Sequence, residues 1–198
     1  MSPLFLTIAY YTKGTSYETL AQNLRNSCKS YDIPLVLKPI DDLGSWERNT
    51  HYKAEFVLEC LNTYSQNLLY VDVDAVFRSY PILIDTLDCD IAYRTENFRW
   101  RSNEALSGTI YLNNNERVKT LVSQWIKLNV EVPASRYAPE TWEQANLQRA
   151  VISDPQINYY NLPPEYTYIF DHTKKLYKDI KPVIEHFQES RNAHKNKR

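Results

Sequence analysis

Glycine is scarce in this chain, with only Gly14, Gly44 and Gly108 among 198 residues. Glycines so placed form neither a G-x-G-x-x-G dinucleotide fingerprint nor a phosphate loop of the G-x-x-x-x-G-K-[ST] kind. A phosphorylated ligand would have to be met by cationic side chains or a metal rather than by a glycine-built cradle. Cysteine is equally sparse. Cys28, Cys60 and Cys89 are far apart and lie in apolar periodic segments, the setting of reduced core thiols and not of a disulfide framework. No apolar run approaches the roughly 18 residues of a membrane span. The stretch Met1 to Ala9 lacks the basic leader and the length of a signal peptide. The expectation is a soluble, cytoplasmic protein. A net charge of −1 supplies no global field that would select nucleic acid or an acidic membrane. Basic residues gather only at the end, in Arg191, Lys195, Lys197 and Arg198, and residues 188–198 read as a flexible solubilising tail.

What is present is an alternation of strand and helix signals over a length that suits one domain, residues 1–187. Leu4 to Tyr10 reads as a buried strand. Thr15 to Glu18 has the form of a capping box, and Tyr17, Leu20, Ala21, Leu24 and Cys28 recur on one helical face. Ile33 to Pro39 supplies a second strand, and a helix from about Asn49 to Asn62 turns Tyr52, Phe56, Val57, Cys60 and Leu61 inward. The apolar run Asn67 to Phe77 is the third strand. Strand, helix, strand, helix, strand at this spacing predicts an α/β fold with a mostly parallel central sheet and right-handed crossovers. Ile82 to Leu87 reads as a short helix, Asp90 to Tyr93 as a short strand, and Glu96 to Glu104 as a mobile loop. Leu106 to Asn113 is a strand, Val118 to Trp125 and Glu140 to Val151 are helices, and Pro182 to Phe187 is a last short strand.

The third strand ends in Asp72-Val73-Asp74. Ligands of parallel sheets bind outside the carboxyl ends of the strands, so two carboxylates one residue apart emerge where a ligand is expected. In an extended chain both point the same way and suit a divalent cation. His186, on the last strand, is the natural third ligand: an imidazole with two carboxylates suits Mn²⁺, whereas an all-oxygen set would suit Mg²⁺.

Five segments in the same order resemble the landmarks of GT-A glycosyltransferases of the nucleotide-diphospho-sugar transferase type. They are Leu69 to Asp74, Ser107 to Asn114, Trp142 to Leu147, Leu162 to Tyr166 and Val183 to Phe187. The resemblance implies a metal-dependent transfer of a hexose from a UDP-sugar to an acceptor hydroxyl, on a glycan, a protein or a hydroxymethylated DNA base. It implies that Ala9, Tyr10, Tyr11 and Thr12 hold the base, with the Asp41-Asp42 loop near the nucleoside. Asp72 would meet ribose and metal, and Asp74 and His186 the metal. Val73, Ser107 and Gly108 would line the donor site. Lys53 and Arg191 are candidate counter-charges for phosphate or sugar, or ordinary surface cations. Glu143 and Gln144 match an acidic-Gln pair that lines the reacting sugar in related enzymes. Retaining relatives are the nearer likeness, although Glu143 also suits a general base. The sequence departs from them after His186, where Gln188-Glu189-Ser190-Arg191 lacks their glycine and lysine.

Two other readings stand beside this one. Asp72-Val73-Asp74-Ala75-Val76 also fits the nucleophile motif of haloacid-dehalogenase-like phosphatases, although no later Gly-Asp with an acid pair completes their site. A binding module for sugar nucleotides that has lost turnover is the non-enzymatic alternative. Trp100, Tyr137, Trp142, Tyr166 and Tyr168 are either an acceptor-stacking wall or core.

Overall fold

In the computed structural model, which describes residues 4–98, 101–132, 135 and 138–188, the chain begins as the sequence predicts. The first half runs β1 (Phe5–Thr12), α1 (Tyr17–Ser30), β2 (Leu35–Ile40), α2 (Trp46–Thr63), β3 (Asn67–Val71) and β4 (Ala75–Phe77). The second half runs β5 (Ile91–Phe98), β6 (Arg101–Leu112), α3 (Glu116–Glu131), α4 (Glu143–Ser153), β7 (Tyr159–Asn161), β8 (Tyr168–Ile169) and β9 (Ile184–His186). Six strands form a central sheet in the order β2-β1-β3-β6-β5-β7, and a small second sheet has the order β4-β9-β8.

The central sheet is mostly but not wholly parallel. β1 pairs in parallel with β2 and β3, and β5 with β7, but β6 runs antiparallel to both of its neighbours. Successive residues of β3 enter opposite cores. Leu68 and Tyr70 pack with Phe56, Val57, Trp125 and Leu147 on the side of α2, α3 and α4, while Leu69 and Val71 pack with Leu24, Cys28 and Ile33 on the side of α1. A strand covered on both faces reads as an unbroken apolar run, which is why β3 was legible.

Four local expectations change. The run Asn67 to Phe77 is not one strand: the chain turns at Asp72 to Asp74, with the Ala75 N–H donating to the Asp72 carbonyl at 2.9 Å. This turn releases β4 from the central sheet to pair with β9. Glu96 to Glu104 is no loop but contains parts of β5 and β6, paired through backbone groups with register shifts at Tyr93/Arg94 and Glu96/Phe98. Backbone pairing leaves no side-chain periodicity to read, and Arg99 and Trp100 lie outside the described residues. The capping box is displaced, since Glu18 reaches past Thr15 to accept from the Gly14 N–H at 2.9 Å. Finally, α2 starts at Trp46 because Ser45 caps it, accepting from the Arg48 N–H at 3.2 Å.

All three cysteines are buried and unbridged. Burial pushes the Cys28 and Cys60 thiols up to about 12 and Cys89 to about 11. Native protein at pH 8 should therefore fail to react with Ellman's reagent, and protein in guanidinium should titrate three thiols. Rapid labelling of the folded chain would contradict this packing. Among the described residues, no helix is long and apolar enough to cross a membrane.

Candidate active site

A cleft of about 640 Å³ opens at the edge of the sheet where β1 and β3 end. Its walls come from Tyr10, Tyr11 and Thr12 at the end of β1, from Trp46, Asn49, Thr50 and Lys53 along one face of α2, and from the Asp72-Val73-Asp74 turn. Glu104, Leu106, Ser107 and Gly108 of β6, Trp142, Glu143 and Gln144 at the start of α4, and Tyr17, Tyr70, Thr167, Ile169, His186 and Gln188 complete it.

The Asp-x-Asp turn is held from two sides. Asp72 N–H donates to the Gly108 carbonyl at 2.8 Å, continuing the β3–β6 ladder, and Phe187 N–H donates to the Asp74 carbonyl at 3.2 Å beyond β9. The turn thus bridges the two sheets, and the pairing of Ala75 with His186 brings the imidazole alongside the carboxylates. Donor atoms of Asp72, Asp74 and His186 lie within 4.8 Å of one another.

Each member is oriented by a neighbour. Asp72 Oδ1 accepts from the Tyr70 hydroxyl at 2.8 Å and sits 3.1 Å from the Lys53 ammonium. Burial, followed by the charge of Asp72, raises the Tyr70 pKa well above its ordinary value, so the phenol stays a donor. His186 is 3% exposed; its Nε2 lies 2.8 Å from the Thr109 hydroxyl and its Nδ1 3.9 Å from Asp74 Oδ1.

These residues fit a divalent cation on the structure's own terms. Two donors each about 2.1 Å from one ion lie roughly 3.0–4.2 Å apart, and the Nδ1–Oδ1 separation falls in that interval while being too long for a direct hydrogen bond. Gly108 leaves the room. A Cβ there would lie 3.2 Å from Asp72 Oδ2, 3.2 Å from His186 Nδ1 and 3.1 Å from His186 Cε1. One nitrogen and two carboxylates make a donor set suited to Mn²⁺.

Beneath the turn lies a buried ion cluster. Lys53 is 4% exposed, and its ammonium donates to Glu143 Oε1 at 2.8 Å and to the carbonyl and hydroxyl of Ser107, each at 3.1 Å. Burial alone would lower its pKa, but Asp72 and Glu143 outweigh burial and hold it above the ordinary lysine value. Glu143, 6% exposed, also accepts from the Ser107 hydroxyl, while its Oε2 is buried with no hydrogen-bond partner. Trp125 fixes this end of α4 by donating its indole N–H to the Glu143 carbonyl at 2.8 Å. Gln144 donates to Glu104 Oε1 across the cleft.

The structure brings together nearly all the residues that the sequence singled out. Ala9 is an exception, being fully buried in the core beneath the cleft. Asp41 and Asp42 do not line the cleft: Asp41 pairs with Lys13 at 2.6 Å, and Asp42 accepts from Gly44 N–H and the Asn49 amide. Lys53 is no surface cation. Arg191 and Tyr137 lie outside the described residues. Of the aromatic set, Trp142 reaches the cleft, in edge contact with Trp46 at 5.5 Å, whereas Tyr166 and Tyr168 are buried away from it. Trp46, Asn49 and Thr50 were missed. Their spacing from Lys53 on one helical face was the signal that would have found them. Tyr70 and Glu104 carried a comparable signal, standing at alternate-residue spacing from Asp72 and Gly108.

No protein-family model and no curated protein matches the chain. Solved structures do. A glycosyltransferase involved in the glycosylation of the major capsid of PBCV-1 superposes with a TM-score of 0.71 at 14% identity, covering 99% of this chain and 100% of that one. The glycosyltransferase GlyE of Streptococcus pneumoniae TIGR4 gives 0.64 at 14% identity, over 92% of this chain and 54% of that one. The bifunctional glycosyltransferase WbbM gives 0.66 at 12% identity, over 95% of this chain and 46% of that one. The chain therefore spans about half the length of the last two. Identities this low speak to the fold, and the fold is the GT-A fold of these glycosyltransferases.

Proposed function

We propose that this chain is a metal-dependent glycosyltransferase that moves a hexose from a UDP-sugar to an acceptor hydroxyl, with retention at the anomeric carbon. The observation that carries the reading is the convergence of Asp72, Asp74 and His186 in the cleft at the strand ends of a GT-A fold. Charge supports it. The described cleft residues include four carboxylates, Asp72, Asp74, Glu104 and Glu143, against a single ammonium, that of Lys53, which is itself shared by Asp72 and Glu143. A diphosphate enters such a site only with a cation. Mn²⁺ held by Asp72, Asp74 and His186 would supply charge stabilisation to the diphosphate as the sugar departs.

The chain's own residues do the rest. Tyr11 and Thr12 offer the nucleoside a wall at the end of β1, and Gly108 lets the donor lie close against β6. Glu143 and Gln144 border the sugar. Lys53 and Ser107 both bind Glu143 Oε1, which makes this carboxylate an electrostatic fixture rather than a mobile base. That favours front-face attack. The acceptor O–H oxygen bonds to the anomeric carbon, the bond from that carbon to the phosphate oxygen breaks, and the acceptor proton passes to the departing diphosphate. Beyond the sugar, Trp46, Trp142 and Glu104 supply aromatic and polar surface for an acceptor.

A phosphatase of the haloacid-dehalogenase type has no support in this geometry. Its acid pair belongs on the first strand of its sheet, whereas this pair follows β3, and Lys53 and Tyr70 already occupy one oxygen of Asp72.

A panel of sugar nucleotides with Mn²⁺, read by thermal shift and by nucleotide release, tests the proposal. A donor present at about 100 times its Kd stabilises by about 2.7 kcal/mol, or roughly 5–10 °C for a chain of this size. Acceptors for the second screen are glycan precursors, proteins and hydroxymethylated DNA bases, with the anomeric configuration of the product read by NMR. Mn²⁺-dependent UDP binding without UDP release from any UDP-sugar, acceptors included, would reduce the chain to a binding module. An inverted product would remove the front-face route.

A further inference from the structure

Thr109 is a fully buried polar residue of the central sheet that no part of the proposed reaction uses. It faces Val71 across the β3–β6 ladder, one residue from the Gly108 carbonyl that receives the Asp72 N–H. Its backbone is therefore fixed relative to the Asp-x-Asp turn. Its hydroxyl crosses from the central sheet to the small sheet and meets His186 Nε2 at 2.8 Å.

That contact bears on which nitrogen carries the proton. The Thr109 hydroxyl can accept from Nε2–H or donate to Nε2. An N–H on Nδ1, however, would face Asp74 Oδ1 only at 3.9 Å, too far for a hydrogen bond, whereas an N–H on Nε2 has the hydroxyl oxygen at 2.8 Å. A neutral imidazole has one N–H and one lone pair. With Nε2–H donated to Thr109 Oγ1, the lone pair is on Nδ1, the atom 3.9 Å from Asp74 Oδ1 and close beside Gly108. Without an acceptor at Nε2, a buried N–H there would lack a partner, and the proton would do better on Nδ1 facing Asp74. That tautomer blocks the nitrogen needed by a metal.

We infer that Thr109 is a positioning residue that holds His186 in the Nε2–H tautomer, so that Nδ1 is presented as a metal donor. The inference rests on the reading that Asp72, Asp74 and His186 hold a divalent ion. It adds a residue from the opposite sheet that sets how well they do so. Outer partners of ligating histidines typically change metal affinity by about 10–100-fold when removed.

The test compares wild type, Thr109→Val and Thr109→Ser. Valine keeps the shape and β-branching at a central-strand position, and serine keeps the hydroxyl. Two readouts are independent of turnover: Mn²⁺ affinity by calorimetry, and the His186 tautomer in metal-free protein by ¹⁵N NMR. Thr109→Val is expected to lose about 10–100-fold in Mn²⁺ affinity and to move the proton from Nε2 to Nδ1. Thr109→Ser should remain near wild type in both. A Thr109→Val protein with wild-type Mn²⁺ affinity overturns the inference alone, whatever its tautomer. A wild type that binds no Mn²⁺ overturns the metal reading and the inference together, so the two failures are distinguishable.

Discussion

Asp74→Ala is expected to lower Mn²⁺-dependent sugar transfer by at least roughly 10³-fold, the scale of the several kcal/mol of charge stabilisation that a bound divalent ion supplies, while leaving the fold intact. Asp74 is a cleaner target than Asp72. Asp72 is tied to Lys53 and Tyr70, so its removal would also disturb the buried Lys53 cluster and take away the acceptor of the Tyr70 hydroxyl. The Asp74 side chain is 12% exposed and its backbone carbonyl, which the substitution keeps, accepts from Phe187. Excess chelator added to wild type should reproduce the loss, and the variant should show no further response to chelator. Circular dichroism and the thermal midpoint of the metal-free variant check that folding is spared. Asp74→Ala protein with full Mn²⁺-dependent turnover would remove the metal from the mechanism.

The parts of this site that were readable from the sequence are those that local pattern encodes. The apolar run before Asp72 is continuous because β3 is covered on both faces, so strand and acid pair were both apparent. His186 could be matched to them only through the order of family landmarks, since 112 residues separate it from Asp74 and no periodicity spans that gap. The turn at Asp72 to Asp74 left no mark because no glycine or proline makes it. Backbone bonds to β6 and β9, both later in the chain, hold it instead. The sequence leaves Lys53 equally a counter-charge for the donor and an ordinary surface cation. Its burial follows from Glu143, 90 residues away, whose approach depends on how α2, α3 and α4 pack. Thr109 was invisible for the same reason, since a threonine in a strand is unremarkable until another sheet places a histidine against its hydroxyl.

Lys53→Met is expected to destabilise the chain by about 3–5 kcal/mol, the usual cost of removing one partner from a buried ion pair. For a protein of this size that is a fall in Tm of roughly 6–20 °C. Methionine roughly fills the same space, so lost packing accounts for little of it. What remains is two carboxylates around a site that has lost its cation: Asp72 keeps the Tyr70 hydroxyl and Glu143 keeps the Ser107 hydroxyl, but neither donor carries charge. The double substitution Lys53→Met with Glu143→Gln should then be more stable than Lys53→Met alone, because it removes one of the two like charges that the lost cation had neutralised. An additive result would show that Lys53 acts through packing and not as the shared counter-ion. The pH dependence has a definite sign. A lysine whose folded pKa is raised contributes stability that is complete below its unfolded value, about 10.4, and lost as pH rises through the folded one. The deficit of Lys53→Met should therefore be constant from pH 7 to pH 9 as far as Lys53 controls it, and should narrow only in strongly alkaline solution. Urea unfolding of both proteins across that range reads the difference directly, and a deficit that vanishes by pH 9 would mean that Lys53 is not held charged by Asp72 and Glu143.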